Sequence, residues 1–209
     1  MTNLIKRIIS SIILIPLTFY FIISGSFMLL FFIMVCLFIS FFEWHKMTQN
    51  LLFKICGFLF LIFSFYVFYY VSTNIVDVFF LIILCVSTDM GGFFFGKIFK
   101  GPKLTKISPN KTYAGMIGGY LLSLISIFIF SINFGSPFST NIQLFSLCIL
   151  LSTVSQAGDI IVSYFKRQAK IKNTGKLIPG HGGLLDRIDG MIFVFPVFYL
   201  IELLEIFNL

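Results

Sequence analysis

Apolar residues run through this chain in long, nearly unbroken stretches, separated by short polar segments. A helix needs about 20 mostly apolar residues to cross a bilayer, and seven stretches reach or approach that length. The pattern therefore predicts an all-α fold, a polytopic bundle of about seven transmembrane helices. The predicted spans are roughly residues 8–24, 26–42, 52–72, 75–95, 113–133, 142–164 and 190–207.

The first apolar stretch follows Lys6 and Arg7 and resembles a signal peptide, with Ser24-Gly25-Ser26 as a candidate cleavage site. A second apolar run begins at once, which favours an uncleaved anchor. Motif content divides the chain further. Residues 1–72 carry transmembrane helices with little motif content, whereas residues 73–209 form a second transmembrane domain that carries the polar motifs described below.

The composition agrees with a membrane protein and excludes an ordinary soluble domain. Hydrophobic residues make up 58% of the chain and charged residues 11%, and the mean hydropathy is +1.03. The four cysteines lie in apolar stretches without a CxxC pair or a nearby histidine, so we expect small core residues rather than a disulfide or a metal site. They are Cys36, Cys56, Cys85 and Cys148.

The distribution of charge predicts the orientation. With a cytoplasmic N-terminus, all 15 Lys and Arg residues fall on the cytoplasmic side, and the other side receives only Asp77, Glu202 and Glu205. This bias predicts a C-terminus outside, in a protein of the cytoplasmic (inner) membrane. Anionic headgroups or an anionic cytosolic substrate account for the net charge of +7 without a nucleic-acid partner.

The remaining acidic residues concentrate at one membrane face. Glu43 stands beside Trp44 at a cytoplasmic helix end. An Asp at the bilayer centre costs about 2.5–3.5 kcal/mol, so acidic residues in or near spans are seldom accidental. Together with the lysine-rich loops, four of them predict a site for cations and anions on the cytoplasmic side. These four, at the ends of segments four, six and seven, are Asp89, Asp159, Asp186 and Asp189.

Segment six carries polar residues at helical spacing, which predicts a stripe facing other helices or a water-filled cavity. Interhelical hydrogen bonding is the favoured interpretation for its first serines. Asp159 needs a cation, and a metal ion is a natural candidate. The stripe consists of Ser152, Ser155, Gln156, Asp159, Ser163, Lys166 and Arg167.

Segment four places Asp89, Gly92 and Gly96 on one face, so another helix or a ligand can approach closely there. Asp89 itself is open between a structural role and a metal ligand. At the start of segment five, Ser108-Pro-Asn-Lys111-Thr112 combines a lysine and a hydroxyl with a helix N-terminus. That combination suits a phosphate, although simple capping explains it as well.

The loop before segment seven is the most polar part of the chain. Gly180, Gly182 and Gly183 allow the backbone to come close to a ligand and to expose amides to phosphate oxygens. Asp186 and Asp189, three residues apart, are expected on one face of the first turn of segment seven. Carboxylates in oxygen-rich surroundings suit Mg²⁺ with substrate phosphates. The residues that complement polyphosphate charge are Lys166, Arg167, Lys172 and Arg187.

These motifs resemble the signature of the phosphatidate cytidylyltransferases, also called CDP-diacylglycerol synthases. The matching run is Ser163-x-x-Lys166-Arg167-x-x-x-x-Lys172, followed by Pro179-Gly-His181-Gly-Gly-x-x-Asp186-Arg187-x-Asp189. Upstream, Gly158-Asp159 and the segment from Ser108 to Thr112 match as well. The resemblance covers roughly the C-terminal 120 residues, and its exact gaps make the long signature specific.

The resemblance implies that CTP and phosphatidic acid give CDP-diacylglycerol and pyrophosphate, with Mg²⁺ and room for a second cation. By this resemblance Asp159 and Asp186 are the expected metal ligands, with Asp189 in support. Asp89, because of its position in segment four, is a further candidate ligand. The triphosphate would be held by Lys172, Arg187 and the glycines Gly182 and Gly183. The lipid phosphate would meet Lys166 or Arg167, and His181 a phosphate or the pyrophosphate. Other candidate substrate-binding residues are Ser108, Lys111, Thr112 and Ser163. Family analogy also implies a homodimer.

Three positions depart from the family pattern. Asn173 and Ala114 stand where acidic residues are usual, and Val162 replaces an acidic residue before the first serine of the signature.

Two alternatives stay open beside the cytidylyltransferase. A CTP-dependent lipid-alcohol kinase would use similar groups but release CDP. A non-enzymatic membrane protein, either a transporter or an inactive relative, would show no turnover.

Overall fold

The computed structural model describes residues 3–134, 141–178, 180 and 182–206. Helices dominate this part of the chain, as the apolar stretches predict. The elements, in chain order, are α1 (Asn3–Ser24), α2 (Ser26–Met47), α3 (Leu51–Val71), α4 (Ile75–Phe99), α5 (Tyr113–Phe134), α6 (Asn141–Gln168), α7 (Leu185–Ile188) and α8 (Met191–Leu203).

The seven predicted segments coincide with α1 to α6 and α8, but several predicted ends are wrong. Helices α2, α4 and α6 continue for four or five residues past the predicted ends at 42, 95 and 164, to Met47, Phe99 and Gln168. Falling hydropathy marks the membrane boundary, whereas the helical hydrogen bonds continue into the polar region. Helix α8, in contrast, is shorter than predicted, because it ends at Leu203 and not at 207. Just beyond this end, Glu205 has a positive φ of 50°, which is not a helical conformation.

Five helices of the described chain are long and apolar enough to cross a membrane, by length and composition. The chain is therefore an all-helical integral membrane protein. Apolar helix of only 10–17 residues is found at Ile12–Ser24 and Met191–Leu203, so seven spans and a cytoplasmic N-terminus stay predictions. The five long spans are Phe27–Met47, Leu51–Val71, Ile75–Phe99, Tyr113–Phe134 and Ile142–Gln168.

Hydroxyl side chains fit inside these apolar helices because they bond to their own backbone. The hydroxyl of Ser64 donates to the carbonyl of Phe60 at 2.9 Å, and that of Thr88 donates to Leu84 at 2.8 Å. Such bonds satisfy the polar group where no water is present.

The chain folds into two compact units that alternate along the sequence. Unit 1 comprises Met1–Ile75 and Phe165–Asp189, and unit 2 comprises Val76–Tyr164 and Gly190–Leu209. The division proposed from motif content, 1–72 and 73–209, concerns where the chemistry lies and stays a prediction.

Unit 1 is organised around the single tryptophan. The indole N–H of Trp44 donates to the carbonyl of Phe53 at 3.1 Å, which ties the end of α2 to the start of α3. A Cβ on Gly57 would lie 2.0 Å from the indole, so only glycine leaves room for the ring. The ring of Phe165 packs edge-on against Trp44, with centroids 4.8 Å apart. Trp44 thus joins α2, α3 and the end of α6.

Unit 2 packs α4 against α5 through glycines. A Cβ on Gly91 would lie 2.2 Å from the carbonyl oxygen of Gly118, and one on Gly115 would lie 2.6 Å from that of Gly92. The expectation that a helix approaches the glycine face of segment four is therefore confirmed. Beside this interface, the hydroxyls of Thr88 and Ser152 lie 3.0 Å apart and share a hydrogen bond, which confirms interhelical hydrogen bonding for that serine.

Candidate active site

The polar loop, residues 169–184, begins where α6 ends and belongs to unit 1. Lys170 has a positive φ of 56°, and the amide of Ile171 donates back to the carbonyl of Lys166 at 3.0 Å, which closes the helix. Further on, Ile178 and Gly182 exchange two backbone hydrogen bonds of 2.9 and 3.1 Å. Gly182 has a φ of 97°, a conformation that favours glycine, so the loop turns back sharply there.

In unit 1, one buried lysine lies close to two of the carboxylates that the sequence predicts for the site. The ammonium of Lys166 lies 2.9 Å from Asp186 Oδ1 and 3.8 Å from Asp189 Oδ2. Asp186 stands on the one-turn helix α7, and Asp189 follows it as the C-terminal cap. The two carboxylates do face one point, although α7 is a separate turn and not the start of the last apolar helix. We call these three residues the Lys166 cluster.

Asp186 is the most heavily bonded carboxylate in the Lys166 cluster. Its Oδ2 accepts from the backbone amides of Thr174 at 2.8 Å and Gly183 at 3.0 Å, while Oδ1 accepts from Lys166. Burial by itself would raise the pKa of Asp186. The bond from Lys166, the Gly183 amide, the positive charge of Lys166 and the Thr174 amide outweigh burial, so the net pKa lies below its ordinary 3.8. Asp186 is therefore a carboxylate held in one orientation.

A second carboxylate, Glu43 at the end of α2, is buried against the same loop with 5% exposure. Its Oε2 accepts from the hydroxyl of Thr174 at 2.7 Å and the amide of Leu185 at 2.8 Å, and its Oε1 from the amide of Leu184 at 2.9 Å. Leu184 supplies no side-chain cap for α7. Glu43 therefore caps this turn from a distant part of the sequence, because the first amides of a helix have no partner within it.

The glycines of the polar loop make room for these carboxylates. A Cβ on Gly182 would lie 2.7 Å from Asp186 Oδ2, and one on Gly183 would lie 2.5 Å from both oxygens of Glu43. The sequence predicts that these glycines admit a ligand, and what they admit in the described chain is protein carboxylate. Asn173 adjoins them, with its Cβ 3.2 Å from the Cβ position of Gly182.

In unit 2, Asp159 is paired with Lys111. The ammonium of Lys111 donates to Asp159 Oδ2 at 2.7 Å and, at a long 3.4 Å, to the carbonyl of Gln156. The other oxygen of Asp159, Oδ1, is buried and accepts no hydrogen bond within the described chain. An unsatisfied carboxylate oxygen of this kind can accept from a water or bind a cation.

The segment before α5 positions Lys111. The amide of Leu104 donates to the carbonyl of Lys111 at 2.8 Å, and the amide of Lys111 donates to the carbonyl of Ser108 at 3.0 Å. Next in the chain, the hydroxyl of Thr112 accepts from the amide of Gly115 at 3.1 Å and so caps α5. The hydroxyl of Thr112 and the backbone carbonyl of Ser108 are therefore engaged in structure, and a phosphate role for these two residues stays a prediction.

The other predicted residues occupy varied positions. In unit 1, Arg167, Lys172 and Arg187 are exposed, and Arg167 donates to the carbonyl of Ile171 at 3.3 Å. In unit 2, Asp89 is exposed and Ser163 is half-buried. His181 lies outside the described residues. The stripe predicted on α6 varies in burial: Ser152 and Ser155 are completely buried, Lys166 is 8% exposed, and Arg167 reaches solvent.

The acidic groups fit a magnesium ion as partial ligand sets. Among the described residues, no three acidic, histidine or cysteine side chains come together as a protein-only metal cage. Mg²⁺ usually takes one or two carboxylates and completes its shell with water and substrate phosphates. The unsatisfied Oδ1 of Asp159 matches such a position, and the convergence of Asp186 and Asp189 offers hard oxygen ligands.

Sequence reasoning missed Glu43 and Thr174 as parts of the site. A charged residue at a helix end beside a tryptophan, as Glu43 is, is usually explained by the membrane surface. A usable signal was its sign: an acidic residue at a membrane face where Lys and Arg otherwise prevail. Thr174 carried no signal, because hydroxyl residues are common in loops.

The fold and site together define an integral membrane protein in which ion pairs join residues of α6 to the polar segments between its helices. Its family follows from comparison with known proteins: the chain belongs to the Cytidylyltransferase family, whose model matches residues 50–204.

Two of the relatives cover nearly the whole chain, and a third covers about half of it. A protein of Rickettsia typhi named phosphatidate cytidylyltransferase is 36% identical over 214 residues, covering 94% of this chain and 91% of its own length. The protein of that name from Rickettsia felis is 35% identical over 218 residues, covering 97% and 93%. The one from Rickettsia prowazekii is 43% identical over 123 residues, covering 56% and 54%.

Proposed function

We propose that this protein transfers the cytidylyl group of CTP to phosphatidic acid, giving CDP-diacylglycerol and pyrophosphate. The observation that carries the proposal is the near full-length similarity to relatives named phosphatidate cytidylyltransferase. The arrangement around Asp186 supports it, since this motif carboxylate is held by three hydrogen bonds.

The reaction is a displacement at phosphorus. A phosphate oxygen of the lipid attacks the α-phosphorus of CTP, a new P–O bond forms, and the bond to the β-phosphate bridging oxygen breaks, so pyrophosphate leaves with the electron pair. The attacking phosphate is already ionised near neutral pH, and no strong general base is required. Catalysis therefore consists of positioning the two anions and neutralising their charge.

Within unit 1, we assign phosphate binding to the exposed cations and the orientation of the carboxylates to the buried groups. Lys172 and Arg187 are exposed and would bind the triphosphate, and Arg167 would bind the lipid phosphate. Lys166 is bonded to Asp186, and its charge offsets those of the carboxylates. His181 is proposed to contact phosphate or pyrophosphate.

Magnesium is the proposed cofactor, with room for a second cation. Asp159, Asp186 and Asp189 are the proposed ligands, with Asp89 as a further candidate. When bound, Mg²⁺ would neutralise triphosphate charge and hold it for in-line attack. The buried, unsatisfied oxygen of Asp159 supports this assignment.

We further propose a location in the cytoplasmic membrane with the site facing the cytoplasm, and a homodimer.

The test is incorporation of labelled CTP into lipid by the purified protein with phosphatidic acid and Mg²⁺. We expect chloroform-soluble cytidine label with equimolar pyrophosphate, and a loss of about 100-fold or more in Asp186→Ala. Glu202→Ala, a change of the same kind near the end of α8, is the matched control and should retain activity. Release of CDP with a phosphorylated lipid alcohol would indicate a kinase. CTP binding without any product would indicate an inactive relative.

A further inference from the structure

The burial of Glu43 against the polar loop suggests a role that its position in the sequence did not. We infer that Glu43 is a positioning residue for the proposed cytidylyl transfer, one that acts on substrate through the orientation of Asp186. The inference rests on the proposed function, and it is carried by the hydrogen bonds of unit 1.

The first step is that Glu43 joins two separate stretches of the loop. Thr174 precedes the turn closed by Ile178 and Gly182, whereas Leu184 and Leu185 follow it. All three donate to the carboxylate of Glu43, over 2.7–2.9 Å. One side chain of α2 therefore fixes the distance between the two stretches.

The second step is that the same stretches hold Asp186. Thr174 gives its hydroxyl to Glu43 and its backbone amide to Asp186, and Gly183, which also donates to Asp186, immediately precedes Leu184. The amides that orient Asp186 are thus at most one residue from groups bonded to Glu43. A displacement at Glu43 would pass to the proposed metal and nucleotide ligand through the backbone.

The third step is that the loop is shaped for a carboxylate at this point. A Cβ on Gly175 would lie 2.6 Å from Glu43 Oε1, and one on Gly183 would lie 2.5 Å from both of its oxygens. The hydroxyl of Thr174 and the two leucine amides all donate to Glu43, and a carboxylate offers acceptors only. A glutamine would fill the same space but turn an NH₂ group toward a donor, leaving a buried donor unsatisfied.

The experiment compares Glu43→Gln with the wild-type protein in steady-state CDP-diacylglycerol synthesis, varying CTP, Mg²⁺ and phosphatidic acid separately. We expect the KM for CTP and the Mg²⁺ concentration for half-maximal rate each to rise by about 10-fold or more, the effect typical of lost outer-shell support. The KM for phosphatidic acid should stay within about two-fold, since Glu43 is proposed to act through the Mg²⁺–CTP ligand.

These readouts separate positioning from simple folding. A variant that merely folds less well contains less active enzyme, so its apparent kcat falls while its KM and Mg²⁺ midpoint do not move. If Glu43→Gln cannot be purified, the pair Thr174→Val and Thr174→Ser carries the test. The valine removes the hydroxyl bonded to Glu43 and should shift both values, whereas the serine keeps it and should reverse most of the shift.

Failure of the inference about Glu43 and failure of the proposed function give different results. An active wild-type protein with Glu43→Gln or Thr174→Val unshifted in KM for CTP and in Mg²⁺ midpoint would overturn the role of Glu43 alone. A wild-type protein that makes no CDP-diacylglycerol would contradict the proposed function, and the role of Glu43 with it.

Discussion

A buried ammonium between two carboxylates sets the chemistry of this protein at the scale of single residues. Lys166 is 8% exposed, and its ammonium lies within 4 Å of Asp186 and Asp189. A charge in such a position is costly unless it is paired, so each member of the cluster depends on the others. Truncating one of them leaves the remaining charges buried and unbalanced.

Asp186 gives this dependence a measurable pH signature. Its hydrogen bonds hold the pKa of Asp186 in the folded chain below its ordinary 3.8. The resulting stabilisation is therefore fully present above that value and is lost as the pH falls through the folded pKa. Asp186→Asn should lower stability near neutral pH by about 1–3 kcal/mol and flatten the fall in Tm as the pH drops below about 4.

Thermal unfolding of both proteins in detergent across this pH range measures the effect. Glu202→Gln is the control, a carboxylate of α8 whose loss should leave the slope unchanged. An equal fall in Tm for Asp186→Asn and wild type would contradict the assignment of acid sensitivity to Asp186.

Spacing predicted which residues share a face, but it could not predict what they meet. Asp186 and Asp189 were expected to face one way, and both reach Lys166. The bond between Glu43 and Thr174 spans 131 residues, and no local pattern specifies such a contact. Contacts between residues far apart in the sequence depend on tertiary packing, so no local sequence pattern predicts them.

At the scale of elements, close packing of α4 on α5 depends on individual glycines and not on a general preference for small residues. Neighbouring glycines of α4 differ sharply in the space beside them. A Cβ on Gly91 would meet backbone of α5 at 2.2 Å, whereas one on Gly92 would meet its nearest neighbour at 3.8 Å, an ordinary contact.

This difference supplies a matched pair of variants. Gly91→Ala should lower stability by about 1–3 kcal/mol, because the helix backbones must separate. Gly92→Ala fits the existing space and should be neutral or raise stability by up to about 1 kcal/mol through better helix propensity. Thermal unfolding in detergent compares the two. Equal losses would show that α5 does not rest on Gly91 as described.

Helices were the most predictable elements and the short turn the least. Apolar length identified α1 to α6 and α8, because a chain in lipid must satisfy its backbone internally. Helix α7 has four residues and ends at Ile188, and Asp189 and Gly190 separate it from α8, which begins at Met191. Hydropathy cannot detect a helix of one turn, so the predicted segment merged it with its neighbour.

At the scale of the whole molecule, orientation in the membrane is the property that the charges predict. Lys106 and Lys176 are exposed in the two lysine-rich loops, and Thr73 is exposed in the turn before α4. The positive-inside rule assigns both lysines to the cytoplasm and Thr73 to the opposite side.

Single cysteines at these positions, in a variant without the four native ones, test the orientation with a membrane-impermeant maleimide. Lys106→Cys and Lys176→Cys should react in inverted vesicles and not in intact cells, and Thr73→Cys should do the reverse. Labelling of Lys106→Cys and Thr73→Cys from the same side would contradict the predicted threading.

The packing of Trp44 also makes the protein its own optical sensor. It is the sole tryptophan of the chain, and it directly follows Glu43. Its ring packs against Phe165, which lies near the end of α6, just before the polar loop. Selective excitation of indole fluorescence therefore reports on this one location, with no dye attached. Changes in emission when CTP, Mg²⁺ or phosphatidic acid is added would follow binding in real time, before any product has formed.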